Sequence, residues 1–230
     1  MKCILFDLDG TLVNTCGAGN RALEKTFFEL YGTPHAMDDI DCAGKTDPAI
    51  IREIFRACLD RDCAPEEMER VQKKYLGRLK GECEKTEYVV MKGIPELLGA
   101  LKKLDVSMGL GTGNLEKGAK IKLARSGLNP FFAFGGFGSD SESRPELLRI
   151  AFEKARKHSR KNIRPEHTYV VGDTERDIRA AREAEFKVIS VATGHTSART
   201  LKKHKPDFFL EHFEDMGRFM QIILRNKAAS

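Results

Sequence analysis

Short apolar runs rich in β-branched and aromatic residues alternate with longer stretches of helical periodicity along most of the 230-residue chain. Since parallel strands are joined by long crossovers, usually helices, this alternation predicts an α/β fold: a doubly wound parallel sheet with helices on both faces. We expect strands at Cys3–Phe6, Val106–Leu110, Phe131–Phe134, Thr168–Val171, Lys187–Val191 and Phe208–Leu210. We expect helices at Ile94–Leu104, Leu115–Ser126, Pro145–Lys157, Arg176–Ala184 and Phe213–Arg225.

One long segment after the first strand interrupts this alternation. Helical periodicity there has apolar faces at Leu23–Leu30, Ile50–Phe55 and Met68–Leu79, without a convincing strand. The pattern predicts a small helical domain inserted into the core. We assign residues 1–14 and 91–230 to the α/β core and residues 15–90 to the inserted domain.

Composition excludes several function classes. The 39 Lys and Arg against 34 Asp and Glu give a net charge of +5, which suits an anionic small molecule as well as nucleic acid. The basic run Lys154–Arg164 contains no interleaved aromatic residues, so we expect a solvated helix face and no nucleic-acid partner. No apolar stretch approaches the ~18 residues of a membrane span. The six cysteines form no Cys-x-x-Cys pair, which favours reduced thiols in a cytoplasmic protein.

Acidic residues follow two of the predicted strands where each ends. Asp7 and Asp9 end the first strand, and their i, i+2 spacing puts them on one face. Asp173 ends another, with Asp177 one helical turn beyond it. A single strand-end Asp is usually a cap or turn residue. Because open α/β sheets bind ligands at the carboxyl ends of their strands, we expect these acidic side chains to converge.

Converging carboxylates need a cation. Two carboxylates about 4 Å apart repel by roughly 4 kcal/mol at an effective dielectric constant of 20. Ligation by oxygen alone selects a hard cation, Mg²⁺ rather than zinc, and Mg²⁺ retains water and substrate phosphate among its ligands. The sequence therefore predicts a Mg²⁺ site for phosphoryl chemistry.

Three motifs resemble those of the haloacid dehalogenase-like hydrolases. Asp7–Leu12 is similar to the first motif of that family, Gly111–Asn114 to the second and Gly172–Asp177 to the fourth. The order is that of the family, and the resemblance covers essentially the whole chain. The helical insertion resembles the mobile cap of the phosphoglycolate phosphatase and β-phosphoglucomutase branch.

The resemblance implies a role for each acidic residue. Asp7 would be the nucleophile that forms an aspartyl-phosphate, and Asp9 the general acid and base. Mg²⁺ would be held by the Asp7 carboxylate, the Asp9 backbone carbonyl and the Asp173 carboxylate, with Asp177 supporting these ligands. True dehalogenases lack the second Asp, so Asp9 argues against carbon–halogen cleavage.

The resemblance also implies a phosphate-binding corner after a second strand. Thr112 and the backbone amides of Gly113 and Asn114 would bind the phosphoryl oxygens that are not transferred. Gly10 permits a sharp turn after the first strand and would line the substrate site.

The third motif departs from the family pattern. The family usually has a Lys before a helix, whereas this chain has Arg144, followed by Pro145. Arg144 would supply the positive charge beside the nucleophile, although Arg and Lys are not interchangeable. The alternative is an exposed Arg before a helix that Pro145 starts. The remaining candidates for this charge are Lys117, Lys120 and Lys122.

The segment Gly44–Pro48 precedes a helix of the inserted domain. It is interpreted as a loop that reaches over the site, with Lys45 contacting substrate. It also reads as a helix start with Thr46 or Asp47 as N-cap, and both can hold together.

These expectations favour a Mg²⁺-dependent phosphatase that acts on a small phosphorylated metabolite and resembles phosphoglycolate phosphatase. A phosphomutase like β-phosphoglucomutase and a pyrophosphatase remain alternatives, because both keep Asp7 and Asp9. A non-catalytic phosphate- or partner-binding protein is the alternative from another class. A binding module would not need both strand-end carboxylates, which argues against it. No pattern in the sequence indicates the leaving group or the oligomeric state.

Overall fold

The computed structural model describes residues 1–85 and 87–224. Its strands are β1 (Lys2–Phe6), β2 (Val13–Asn14), β3 (Val89–Val90), β4 (Val106–Thr112), β5 (Gly135–Phe137), β6 (Thr168–Gly172), β7 (Lys187–Val191) and β8 (Phe208–Leu210). Its helices are α1 (Ala18–Tyr31), α2 (Asp47–Leu59), α3 (Pro65–Lys85), α4 (Ile94–Leu101), α5 (Glu116–Ala124), α6 (Arg144–Ser159), α7 (Glu175–Glu183), α8 (Ala198–Lys203) and α9 (Met216–Leu224).

Six of the described strands form one parallel sheet in the order β5-β4-β1-β6-β7-β8. Successive residues of β1 point to opposite faces, as in any strand. Ile4 and Phe6 join a buried cluster with α4, α5 and α9, whereas Cys3 and Leu5 join another with α6, α7 and α8. The doubly wound α/β fold expected from the alternating pattern is therefore confirmed.

Helices α1, α2 and α3 form a separate hydrophobic cluster that includes Phe27, Phe55 and Tyr75, and Leu115 before α5 joins it. The two chain segments that connect these helices to the sheet pair as the antiparallel strands β2 and β3, with Val13 opposite Val90. We call α1–α3 with their connecting loops the helical layer. The assignment of residues 15–90 to an inserted domain remains a prediction.

The prediction of a strand at Phe131–Phe134 was wrong. Pro130 lies in a short 3₁₀ turn over Asn129–Phe131, and the strand is β5. The reason is close packing of α6, because a Cβ on Gly136 would lie 1.8 Å from the Leu147 carbonyl oxygen. Only a glycine backbone can run as a strand beneath α6 here.

Other element ends differ by a few residues. The helix expected to reach Leu104 ends at Leu101, and the helix expected to begin at Phe213 begins at Met216. The expected end of that last helix, Arg225, lies outside the described residues. Cys3, Cys63 and Cys83 are buried, and all six cysteines are free thiols. In residues 1–85 and 87–224 no helix has both the length and the apolar character needed to cross a bilayer.

Adjacent phenylalanines on α1 provide a matched test of the helical layer. Phe27 is fully buried, with its ring centroid 5.4 Å from that of Phe55, whereas the Phe28 side chain is exposed. We expect Phe27→Ala to lower the free energy of unfolding by about 3–5 kcal/mol, because it leaves a cavity. Phe28→Ala should change it by no more than about 0.5 kcal/mol. Urea unfolding of both variants measures the difference, and equal losses would contradict this packing.

Candidate functional site

The carboxyl ends of β4, β1 and β6 lie side by side, since these three strands are neighbours in the sheet. Phe6 is in register with Leu110 on one side and with Val171 on the other. The residues that follow these strands therefore meet at one edge. The structure brings together Asp7, Asp9, Thr112, Gly113, Asn114 and Asp173 around one cavity.

Arg144 joins two of the acidic residues. It is the first residue of α6, and its Nη2 donates to Asp177 Oδ1 and lies 3.7 Å from Asp7 Oδ1. All three side chains are buried. Burial, followed by the nearby Asp177 charge, raises the pKa of Asp7 to about 7, although Arg144 opposes this shift. The reading of Arg144 as an exposed helix-start residue is therefore wrong.

Asp173 follows β6, the strand beside β1, and accepts a hydrogen bond from Thr11 Oγ1 at 2.9 Å. Burial, with the charges of Asp7 and Asp177, raises its pKa well above the usual value despite that bond. Gly10 has a φ of 80°, and a Cβ there would lie 2.4 Å from Asp173 Oδ2. Glycine is required at this turn because any side chain would be strained and would displace the carboxylate.

Asp177 is engaged by protein donors on both oxygens. Oδ2 accepts hydrogen bonds from the Thr174 hydroxyl at 2.7 Å and the Thr174 backbone amide at 3.1 Å. The second bond, with the bond that the Asp177 amide donates to Thr174 Oγ1 at 3.3 Å, forms the capping box of α7. Oδ1 accepts from Arg144. Carboxylate oxygens of Asp7, Asp173 and Asp177 lie within 4.8 Å of one another. Asp7 and Asp173 are thus freer than Asp177 to bind a cation directly.

Asp9 has a different environment from Asp7. Its side chain is 41% exposed, and its Oδ2 accepts hydrogen bonds from Asn114 Nδ2 at 2.8 Å and from Lys122 Nζ at 2.7 Å. Asn114 Nδ2 also donates to Thr112 Oγ1 at 2.9 Å. The two carboxylates at the end of β1 are therefore paired with different cations.

Lys122 is a functional candidate that the sequence suggested only as a substitute for Arg144. Burial alone would lower its pKa, but the Asp9 and Asp47 carboxylates outweigh this effect and raise the pKa. Burial also raises the pKa of Asp47 to about 6, against the opposing charge of Lys122. Lys117 and Lys120 are exposed on α5 and do not line the cavity.

The loop before α2 forms part of the cavity wall. The backbone of Lys45 lies against Gly113, where a Cβ would be 2.2 Å from the Lys45 carbonyl oxygen. The Lys45 ammonium pairs with the Glu53 carboxylate. Thr46 is the N-cap of α2, and its Oγ1 accepts a hydrogen bond from the Ala49 amide at 3.4 Å. The expected helix start and the expected approach to the site therefore occur together.

The cavity has a volume of about 390 Å³ and includes residues that sequence reasoning missed. Gly194, His195 and Thr196 line it after the end of β7. The preceding residue, Thr193, donates its hydroxyl to the Gly10 carbonyl at 2.6 Å. The sequence signal that could have identified these residues is the run of polar residues after the strand predicted at Lys187–Val191. Tyr75 lines the cavity from α3, and nothing in its local sequence indicated this.

Known proteins resemble this chain over nearly its full length. A phosphoglycolate phosphatase of Aquifex aeolicus is 29% identical, covering 96% of this chain and 97% of the relative. Pyrophosphatase PpaX of Oceanobacillus iheyensis is 25% identical, covering 94% and 95%. The crystal structure of CbbY from Rhodobacter sphaeroides in complex with phosphate superposes with a TM-score of 0.74 at 20% identity, covering 94% and 96%.

The family assignment rests on a longer match. Residues 4–191 match the family described as haloacid dehalogenase-like hydrolase, a range that includes the three motifs and the whole helical layer. The chain belongs to the haloacid dehalogenase-like hydrolases.

Proposed function

We propose that the chain is a Mg²⁺-dependent phosphatase that hydrolyses a small phosphorylated metabolite through a phosphoaspartate on Asp7. The observation that carries this proposal is the cluster of buried carboxylates beside Arg144, at the strand ends, in a 390 Å³ cavity. Buried carboxylates with raised pKa values are costly to keep, and such arrangements concentrate at functional sites. The relatives named phosphoglycolate phosphatase support the reaction class.

The donor set fits Mg²⁺. Asp7 and Asp173 offer carboxylate oxygens that lie close together, and the Asp9 backbone carbonyl would complete the set of protein ligands. Asp177 would act indirectly, since its oxygens already accept hydrogen bonds from Thr174 and Arg144. When bound, Mg²⁺ supplies positive charge that offsets the carboxylates and the phosphoryl group of the substrate.

In the proposed reaction, a carboxylate oxygen of Asp7 attacks phosphorus, and the bond from phosphorus to the leaving oxygen breaks. Asp9 donates a proton to that leaving oxygen. Asp9 then accepts a proton from the water that attacks the phosphoaspartate, which releases inorganic phosphate and restores Asp7.

Other groups would hold the phosphoryl oxygens. The hydroxyl of Thr112 and the amides of Gly113 and Asn114 lie at the start of the connection into α5 and would bind oxygens that are not transferred. Arg144 lines the same cavity, and its buried Nε has no hydrogen-bond partner among the described residues. That free donor suits a phosphoryl oxygen, so an Arg would take the role of the family lysine.

The leaving group would be selected by the helical layer. Gly44, Lys45 and Tyr75 line the cavity from that layer, and the Lys45 ammonium would contact an anionic leaving group. A pyrophosphatase activity is the second candidate, favoured by the 25% identical PpaX relative. The free thiols are compatible with the cytoplasmic location that we propose.

Metal dependence and the two aspartates give the first test. A panel of phosphate monoesters and pyrophosphate should include a substrate that is hydrolysed with Mg²⁺ and not with excess chelator.

Asp7→Asn should abolish the phosphoenzyme, since an amide is a poor nucleophile. Asp9→Asn should slow turnover by about 10²–10⁴-fold and let phosphoenzyme from p-nitrophenyl phosphate accumulate. Wild-type turnover by Asp7→Asn, or full activity in chelator, would refute the proposal.

Buried charge at Asp7 predicts a pH-dependent cost in the metal-free protein. Burial raises the pKa of Asp7 to about 7 in the folded protein from its ordinary value of 3.8, so the folded state binds more protons than the unfolded state between these values. This carboxyl therefore lowers the free energy of unfolding progressively as the pH rises towards 7. The stability of Asp7→Asn relative to wild type should thus increase by roughly 2.5 kcal/mol from pH 5 to pH 8.

Urea unfolding in chelator at both pH values measures this difference. Added Mg²⁺ should reduce it at pH 8 by stabilising the wild-type protein through binding to the folded state. A difference between the two proteins that is independent of pH would contradict the buried charge on Asp7.

Lys45 provides the test of leaving-group selection. If Lys45 contacts the leaving group, Lys45→Ala should lower kcat/KM for the best metabolite of the panel by at least about tenfold. It should lower kcat/KM for p-nitrophenyl phosphate by much less. Lys80→Ala, an exposed lysine of α3, is the matched control and should change neither value. Equal losses on both substrates would show that Lys45 supports the loop instead.

A further inference from the structure

Lys122 is a buried cation whose position the proposed reaction does not yet explain. Its side chain is 7% exposed, and Nζ lies 2.7 Å from Asp9 Oδ2. Transfer of an ammonium from water into the protein costs several kcal/mol, and replacement of a buried ion pair by apolar residues is often neutral or stabilising. Stability alone therefore accounts poorly for a lysine at this position.

The hydrogen bonds of Asp9 are asymmetric. Among the described residues, both side-chain donors, Lys122 Nζ and Asn114 Nδ2, meet the same oxygen, Oδ2. Two donors on one oxygen fix the rotation of the carboxylate and leave Oδ1 as the oxygen for other partners. Asp9 lines the cavity and its side chain is 41% exposed, so a substrate can reach it.

Asp47 supports Lys122 from the helical layer. The Asp47 carboxylate does not cap its own helix; Oδ2 accepts a hydrogen bond from the amide of Leu115, the residue before α5, at 2.8 Å. The Asp47 amide donates to the Gly113 carbonyl at 2.8 Å, which fixes α2 against the turn between β4 and α5. Asp47 Oδ2 lies 3.7 Å from the position that a Cβ on Gly118 would occupy, one turn before Lys122 on the same face of α5. The buried carboxylate therefore favours the charged form of the Lys122 ammonium.

We propose that Lys122 is a positioning residue that holds the Asp9 carboxylate through Oδ2, so that Oδ1 faces the leaving oxygen, and that Asp47 holds Lys122. The proposal rests on the proposed function, because it presumes that Asp9 transfers the proton. It assigns to Lys122 a role distinct from that of Arg144, which pairs with Asp7 and Asp177.

Lys122→Met keeps much of the side-chain length and removes the charge. Loss of Asp9 orientation should lower kcat on an alkyl phosphate by about 10²-fold, within the range of acid–base assistance, with KM little changed. The rate of phosphoenzyme formation from p-nitrophenyl phosphate should fall much less, because the leaving group of this substrate needs little protonation. Lys122→Arg should restore part of the rate, since a guanidinium also donates to a carboxylate.

Two variants control this comparison. Lys120→Met, on the exposed face of the same helix, should leave both rates unchanged. Asp47→Asn keeps an oxygen acceptor for the Leu115 amide and removes the charge. It should therefore also lower the rate more on the alkyl phosphate than on p-nitrophenyl phosphate, but by a smaller factor than Lys122→Met. This variant also keeps the proposal testable where Lys122→Met fails to fold.

A double-mutant cycle with Asp9→Asn isolates the coupling between the two residues. If Lys122 acts through Asp9, adding Lys122→Met to Asp9→Asn should cause little further loss. A full additional loss, equal on both substrates, would overturn the proposal and indicate direct contact between Lys122 and the phosphoryl group. The proposal would also be overturned if Lys122→Met lost thermal stability, slowed both substrates equally, and Lys122→Arg restored none of the rate.

A structural measurement separates this proposal from the proposed function. A crystal structure of Lys122→Met should show the Asp9 carboxylate rotated away from Asn114, whereas an unmoved Asp9 would overturn the positioning role. If the wild-type protein hydrolyses none of the panel, the proposed function fails, while the crystal structure still decides whether Lys122 orients Asp9.

Discussion

The pairing of Arg144 with Asp7 and Asp177 is the constraint on which the site depends. Three carboxylates converge at the ends of β1 and β6, and each loses its hydration there. Arg144 offsets the negative charge of more than one of these carboxylates. One atom of the guanidinium, Nη2, donates to Asp177 and lies 3.7 Å from Asp7, while Nε has no partner among the described residues. An arginine at the start of α6 can thus reach two acidic partners that lie on different strand connections.

The two aspartates that end β1 are only two residues apart, yet they have opposite environments. Asp7 is buried beside other carboxylates, whereas Asp9 is partly exposed and receives hydrogen bonds from Lys122 and Asn114. Different environments for two acidic groups are what a nucleophile and an acid–base catalyst require. The separation arises from packing: α6 brings a cation to one carboxylate and α5 brings another to its neighbour.

Local sequence patterns predicted the parts of the fold that local physics determines. Alternating apolar runs predicted the parallel sheet, and the i, i+2 spacing predicted that Asp7 and Asp9 share a face; both line the cavity. The strand β5 was missed because the glycine at position 136 is required by contact with α6, which no local pattern records. The positions of Lys122 and Asp47 were missed for the same reason, since the hydrogen bonds of Asp47 with Leu115 and of Lys122 with Asp9 join residues 68 and 113 positions apart.

The loop before α2 connects the helical layer to the sheet edge. Arg176 of α7 donates to Asp41 at 2.9 Å and to the Ala43 carbonyl, while Asp47 contacts Gly113 and Leu115. Each contact joins this loop to the connection that follows β4 or β6, and these connections line the cavity with Gly113 and Asp173. The sheet edge alone can surround a phosphoryl group, whose shape is common to all phosphate esters. Because the loop is fixed by the same connections that would surround that group, in the proposed reaction selection of the leaving group and alignment of the reacting carboxylates would depend on one set of contacts.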